Sequence, residues 1–94
     1  MKSILQNEKR CYFCGSTVGL EEHHCMFGRG LRTLSERHGL KVYLCFRCHR
    51  DTKFGVHGNR EMDLQLKRVS QMAFEKKYSH ETWMEVFKRN YLEG

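Results

Sequence analysis

The sequence predicts a small α+β fold, and three observations carry that prediction. Two Cys-x-x-Cys knuckles stand thirty residues apart, two short strand-like stretches lie between and against them, and the last third places apolar residues at helical spacing. A chain of 94 residues forms one domain at most. It buries only ~60–65% of the surface its unfolded form exposes, so a staple such as disulfides, a metal or a partner subunit would strengthen it. Hydrophobic residues at 39% against 30% charged place it among folded rather than disordered chains.

The elements follow in order. Residues 1–10 read as a short lead-in with a helical turn through Ile4 and Leu5. Cys11-Tyr12-Phe13-Cys14-Gly15 is a tight knuckle. Leu20-Glu21-Glu22-His23-His24 reads as a short strand. Gly28, Gly30 and Gly39 punctuate the next stretch, where a helical turn over Thr33–His38 stops at Gly39. Lys41-Val42-Tyr43-Leu44 alternates polar and apolar as a half-buried strand does, and runs into Cys45-Phe46-Arg47-Cys48-His49, a second knuckle that opens a helix.

Met62, Leu66, Val69 and Ala73 share one face of a third helix. Asn59 caps its start, Glu61 lies in its first turn and Lys76 and Lys77 in its last, all favourable to the helix dipole. Ser79 caps a second C-terminal helix whose Trp83, Val86, Phe87 and Tyr91 share a face. These apolar stripes are core, packing residues 59–94 onto a metal-braced core over residues 11–58 within a single domain, 1–94.

A net charge of +6 favours anionic partners, of which nucleic acid is the commonest, although solubility alone also accounts for it. The first twenty residues lack a signal-peptide core, and no apolar stretch is long enough to span a bilayer. The expectation is a cytoplasmic protein with no membrane partner. In that compartment thiols stay reduced, and paired cysteines bind metal more often than they form disulfides.

Cys11, Cys14, Cys45 and Cys48 are therefore the ligands expected for one structural zinc. Each C-x-x-C turn sets two sulfurs on the same ion, and four thiolates complete a closed tetrahedral site. Redox-active dithiols or buried apolar cysteines are the alternatives. Cys25 is left over, either as a small core residue or as a replacement ligand.

Four histidines lie near this framework. His49 opens the helix beside the zinc and faces the strand that carries His23-His24. A second, more exposed metal site can form from His23, His49 and His57, suited to a scissile phosphate. His24 remains to take a proton from water, since an imidazole suits general-base work at neutral pH. Adjacent residues on a regular strand face opposite ways, so the strand must end or bulge at this pair. His38, in a loop, and His80, after a helix cap, are read as structural.

The order Cys-x-x-Cys-Gly … Glu-His-His … Leu-Cys-x-x-Cys-His over residues 11–57 resembles the zinc-braced branch of the HNH endonucleases, the ββα-metal nucleases. Small phage-encoded and prophage-encoded members look especially similar. The resemblance implies a ββα-metal core with two added C-terminal helices, and metal-dependent hydrolysis of DNA phosphodiesters inside a host cell. It assigns His24 as general base, with His23 and His49 as ligands of the catalytic metal. Two departures stand out. The family's middle asparagine is absent before the second strand, where Arg37-His38-Gly39-Leu40 stands, so either His38 or Glu36 replaces it or the activity is lower. The family's usual last-ligand position holds Lys53, leaving His57, reaching back by a turn, with Asn59 as the other choice.

A histidine-rich site does not choose sharply among magnesium, manganese, nickel and zinc. Arg29, Arg32, Arg37, Arg47, Arg50 and Lys53 cluster in the same stretch, as contact with a phosphate backbone requires. DNA is the expected partner, with RNA open, and a homodimer would suit double-strand cutting by single active sites. The rivals are a non-catalytic zinc module that binds nucleic acid, and a phage protein-interaction or inhibitor module.

Overall fold

A two-stranded antiparallel sheet organises the first half of the chain. The computed structural model describes residues 2–51 and 55–92. In it, β1 (Leu20–His24) pairs with β2 (Lys41–Cys45), Leu20 opposite Cys45 and His24 opposite Lys41. Helix α1 (Leu31–His38) connects the strands, and β2 runs directly into the short α2 (Phe46–Arg50). Two further helices follow, α3 (Arg60–Lys77) and α4 (His80–Phe87). The result is a small α+β fold with four helices among the described residues.

The stop at Gly39 is as the sequence predicts, for two physical reasons. Its backbone is left-handed, with φ at 70°, a region a side chain disfavours. A Cβ there would also overlap the carbonyl oxygen of Lys2. That second reason exposes a correction: residues 2–10 form bends, with no helical turn at Ile4 and Leu5. The Ser3 hydroxyl accepts from the amides of Leu5 and Gln6 at 3.0 and 3.2 Å, a local alternative to helical bonding. The segment is also stitched inward. Ile4 N–H donates to the Gly39 carbonyl at 2.9 Å and Tyr43 N–H to Gln6 Oε1 at 2.8 Å.

Two apolar clusters form the core. One gathers Cys11, Cys25, Val42, Leu44, Cys45, Val56 and Leu66 around the sheet; the other joins Met26, Leu40, Phe74, Trp83 and Phe87. Both expected caps are present. Asn59 Oδ1 accepts from the amides of Glu61 and Met62, and Ser79 Oγ from that of Thr82. The buried face of α3, however, is Leu66, Ser70, Gln71 and Phe74, with Met62, Val69 and Ala73 half-buried beside it.

Apolar periodicity misses Ser70 and Gln71 because polar groups can be buried once they are satisfied. Ser70 Oγ donates to the Leu66 carbonyl at 2.8 Å, and Gln71 bridges to Asn90 Oδ1 and the Tyr91 amide, each at 2.7 Å. Helix α4 ends at Phe87, where Lys88 turns left-handed with φ at 61°, so Tyr91 packs from beyond the helix rather than on its face. Trp83 donates through Nε1 to the Arg89 carbonyl at 2.7 Å. No helix among the described residues is long and apolar enough to cross a membrane.

Candidate metal centre and active site

The first knuckle is bound to the sheet before any metal is considered. Cys11 N–H donates to the Ser16 carbonyl at 2.8 Å, Gly15 N–H to Cys11 at 2.9 Å, and Tyr12 N–H to the Tyr43 carbonyl on β2 at 2.8 Å. Cys45 ends β2 and Cys48 lies in α2, so the second knuckle is carried by the strand–helix junction. All four sulfurs lie within 4.8 Å of one another, with Cys14 Sγ 3.5 Å from Cys45 Sγ. Two sulfurs at that spacing, each ~2.3 Å from a shared ion, subtend about 100°, close to a tetrahedral angle.

Burial raises the Cys11 thiol, yet amide donors from Cys14, Cys45 and Phe13 outweigh it and bring it down to about 6. Burial and the crowding of Cys45 and Cys11 push Cys48 up instead. Amides aimed at sulfur, in a group whose members resist joint ionisation, suit a shared cation. These four cysteines can hold a structural metal ion such as zinc. Cys25 is not among them. It is fully buried in the sheet-side core, and burial raises its thiol to about 12.

His49 follows Cys48 in α2, so the cysteine cluster places it directly. Its Nε2 lies 3.2 Å from His57 Nε2. The ring of His23 is 5.1 Å from that of His49 and 5.3 Å from that of His57, and the three candidate ligand nitrogens lie within 4.8 Å of one another. His57 reaches back because Val56 N–H donates to the Cys48 carbonyl at 2.7 Å, while Gly55 turns against Asp51 where a Cβ would have no room. Asn59, the other choice for this position, is engaged as the α3 cap.

The donor set fits a divalent ion. His23 Nε2 is buried without a hydrogen-bond partner among the described residues, a costly state unless something accepts its lone pair. Burial, then the neighbouring His49 and His57, hold His23 down to about 3, and burial followed by His49 lowers His57. Both directions favour the neutral imidazole that metal ligation requires. His49 presents Nε2 because its Nδ1–H donates to Glu21 Oε1 at 2.8 Å, the carboxylate support that ligating histidines commonly have. Nitrogens 3.2 Å apart, each ~2.1 Å from one ion, subtend about 100°, between octahedral and tetrahedral values.

His24 obeys strand alternation. The register places His23 with Val42 on one face of the sheet and His24 with Lys41 on the other. Because β1 ends at His24, the ring still borders the same cavity. That cavity, about 340 Å³, is lined by His23, His24, His49 and His57 together with Glu21, Glu22, Phe27, Arg32 and Arg50. On its own side, His24 Nε2 is 3.0 Å from Glu36 Oε1. Glu22, His24 and Glu36 also form a cluster of metal-ligating types, but the Lys41 ammonium already lies 2.8 Å from Glu36 and 3.3 Å from Glu22, supplying its cation.

Of the six basic residues expected at the site, Arg32 and Arg50 line the cavity. They differ in state. Arg50 Nε donates to both Glu21 oxygens at 2.9 and 3.1 Å, and that guanidinium, ahead of His49, lowers the Glu21 carboxyl. Arg32 makes no ion pair with any described residue. Arg29, Arg37 and Arg47 are exposed and outside the lining, and Lys53 lies outside the described residues.

His38 packs edge-on against Phe74, Tyr78 and Phe87, away from His24, and His80 pairs with Glu75 at 2.7 Å. Sequence reasoning missed Glu21, whose signal was its position two residues before His23 on the same strand face. It also missed Phe27, whose ring stacks edge-on near His23 and His57. Comparison with known proteins assigns no relative: no family model, curated protein or solved structure matches the chain.

Proposed function

We propose that this protein is a metal-dependent endonuclease of the HNH type that hydrolyses DNA phosphodiesters, its backbone braced by zinc on Cys11, Cys14, Cys45 and Cys48. One observation supports this above all. Three imidazoles with convergent nitrogens, a fourth imidazole from the adjacent strand position and a guanidinium with no ion pair among the described residues border a single cavity.

In this reading His23, His49 and His57 hold a divalent ion, with Glu21 fixing the tautomer of His49 and Arg50 fixing Glu21. Such an ion, when bound, supplies Lewis acidity at the scissile phosphate and stabilises the departing 3′ oxygen. His24 accepts the proton of the attacking water as the P–O3′ bond breaks. Arg32, which lines the cavity, binds a non-bridging phosphate oxygen. The remaining arginines contact the backbone without reading sequence.

A plasmid-nicking assay with magnesium, manganese, nickel or zinc, run for wild type and His24→Ala beside an RNA substrate, tests this reading. Metal-dependent nicking that disappears in His24→Ala supports it. Salt-sensitive DNA binding without cleavage by the wild type would replace it with a zinc-braced binding module. Neither activity would leave a zinc-braced protein-interaction module.

A further inference from the structure

We propose that Glu36 is a positioning residue for His24, fixing Nε2 as the protonated ring nitrogen and leaving Nδ1 as the one that accepts a proton. The functional consequence rests on the nuclease reading; the geometry of the pair does not. Glu36 Oε1 lies 3.0 Å from His24 Nε2, whereas the other nearby carboxylate, on Glu22, is 3.9 Å away and beyond hydrogen-bond reach. The carboxylate is itself held. Lys41 Nζ approaches both of its oxygens, at 3.0 and 2.8 Å, and Lys41 stands directly opposite His24 in the strand register.

The Lys41 ammonium holds the Glu36 carboxyl well below the usual carboxylate range, with His24 contributing less. An ionised carboxylate only accepts. A neutral imidazole facing it must therefore carry its hydrogen on the facing nitrogen, and the lone pair falls to the other.

The two ends of this contact are also locked together by the backbone. Leu40 N–H donates to the Ser35 carbonyl at 2.8 Å and Cys25 N–H to the Leu40 carbonyl at 2.9 Å. The buried Ser35 hydroxyl accepts from Met26 N–H at 3.3 Å and donates to the Leu40 carbonyl. The last turn of α1 is thereby tied to the end of β1, and Glu36 meets His24 as part of a rigid corner rather than as a loose surface pair. Of the two residues that the resemblance leaves to replace the middle asparagine, Glu36 is the one in contact with His24. His38, two residues on, is engaged by Phe74, Tyr78 and Phe87.

The test uses the full zinc-loaded chain labelled with ¹⁵N, at about pH 8 where ordinary imidazoles are neutral. Long-range ¹H–¹⁵N correlation reads the tautomer of each histidine, and the His24 signals are those lost in His24→Gln. Wild type should show His24 as the Nε2–H form alone. Glu36→Ala should show a mixture, and Glu36→Gln, whose amide oxygen still accepts, should keep the wild-type form.

In the nicking assay Glu36→Ala should lower kcat ~10–100-fold, as loss of a supporting carboxylate does, with KM and affinity for added metal changed less than about twofold. Glu36→Gln should recover most of the rate. An Nδ1–H tautomer in wild type, or a tautomer unchanged in Glu36→Ala, overturns the assignment. Should Glu36→Ala misfold, the wild-type and Glu36→Gln spectra decide it. A wild type that cleaves nothing removes the nuclease reading and leaves the tautomer result to stand or fall by itself.

Discussion

Cys14 offers an unusually clean test of the cysteine cage, because it is the exposed member of the four. Replacing an exposed side chain normally changes stability by no more than ~0.5 kcal/mol, and serine conserves its shape. Any larger loss must come through what the sulfur binds. Structural zinc contributes an apparent ~10–16 kcal/mol, so an equal share for one of four thiolates is roughly 3 kcal/mol. For a chain of 94 residues, at ~4–8 °C per kcal/mol, Cys14→Ser should lower Tm by about 12–24 °C. Thermal unfolding followed by far-UV circular dichroism, with zinc content measured by mass spectrometry, checks both halves of the claim. A variant that melts within about 3 °C of wild type while holding the same zinc would refute the cage as the brace of this fold.

Other outcomes follow from the second cluster and the surface around it. His57→Ala should keep one tightly bound zinc but lose a second, exchangeable ion by mass spectrometry, and cleavage should fall at least ~100-fold. Retention of two ions would remove His57 from the ligand set. Arg32→Ala should weaken DNA binding to about the same extent for every sequence, and flatten the log–log salt dependence by ~0.9 for one lost phosphate contact. An unchanged slope would place the phosphate elsewhere.

His38 carries a pH dependence of its own. Burial first, then Arg37 and Lys77, hold it below its ordinary value of 6.5. The unfolded chain therefore takes up a proton that the folded His38 resists. Its contribution to stability is present above pH 6.5 and is lost as the pH falls below that value. Urea unfolding of His38→Phe should show a smaller loss of stability than wild type between about pH 7 and pH 5; parallel curves would show that other groups carry the effect.

Much of the architecture could be read locally. Strand alternation at Lys41-Val42-Tyr43-Leu44, the caps at Asn59 and Ser79 and the glycine stop at Gly39 all depend on a few neighbouring residues, and the structure contains each of them. The errors share a cause. Ile4 and Leu5 look like a helical turn until Ser3 takes their neighbouring amides and β2 takes the segment. The α3 face drawn through Met62, Val69 and Ala73 rotates toward Ser70 and Gln71, because the Leu66 carbonyl satisfies Ser70 within the helix while Asn90 and the Tyr91 amide satisfy Gln71. In both cases side-chain hydrogen bonds, some local and some to distant segments, outweighed the preference set by apolar pattern.

The candidate site divides along the same line. From its own order of residues the chain determined the two Cys-x-x-Cys pairs, the histidine beside Cys48 and the histidine pair that ends a strand, since ligand types and spacings of two or three residues are local properties. Only the tertiary structure decided that His57 rather than Asn59 joins His23 and His49, that Glu36 rather than His38 meets His24, and that Arg32 alone of the two cavity arginines has no ion pair among the described residues. Each of those choices depends on which side chains the sheet register and the turn at Gly55 bring within about 3 Å, a distance that separation along the chain does not encode.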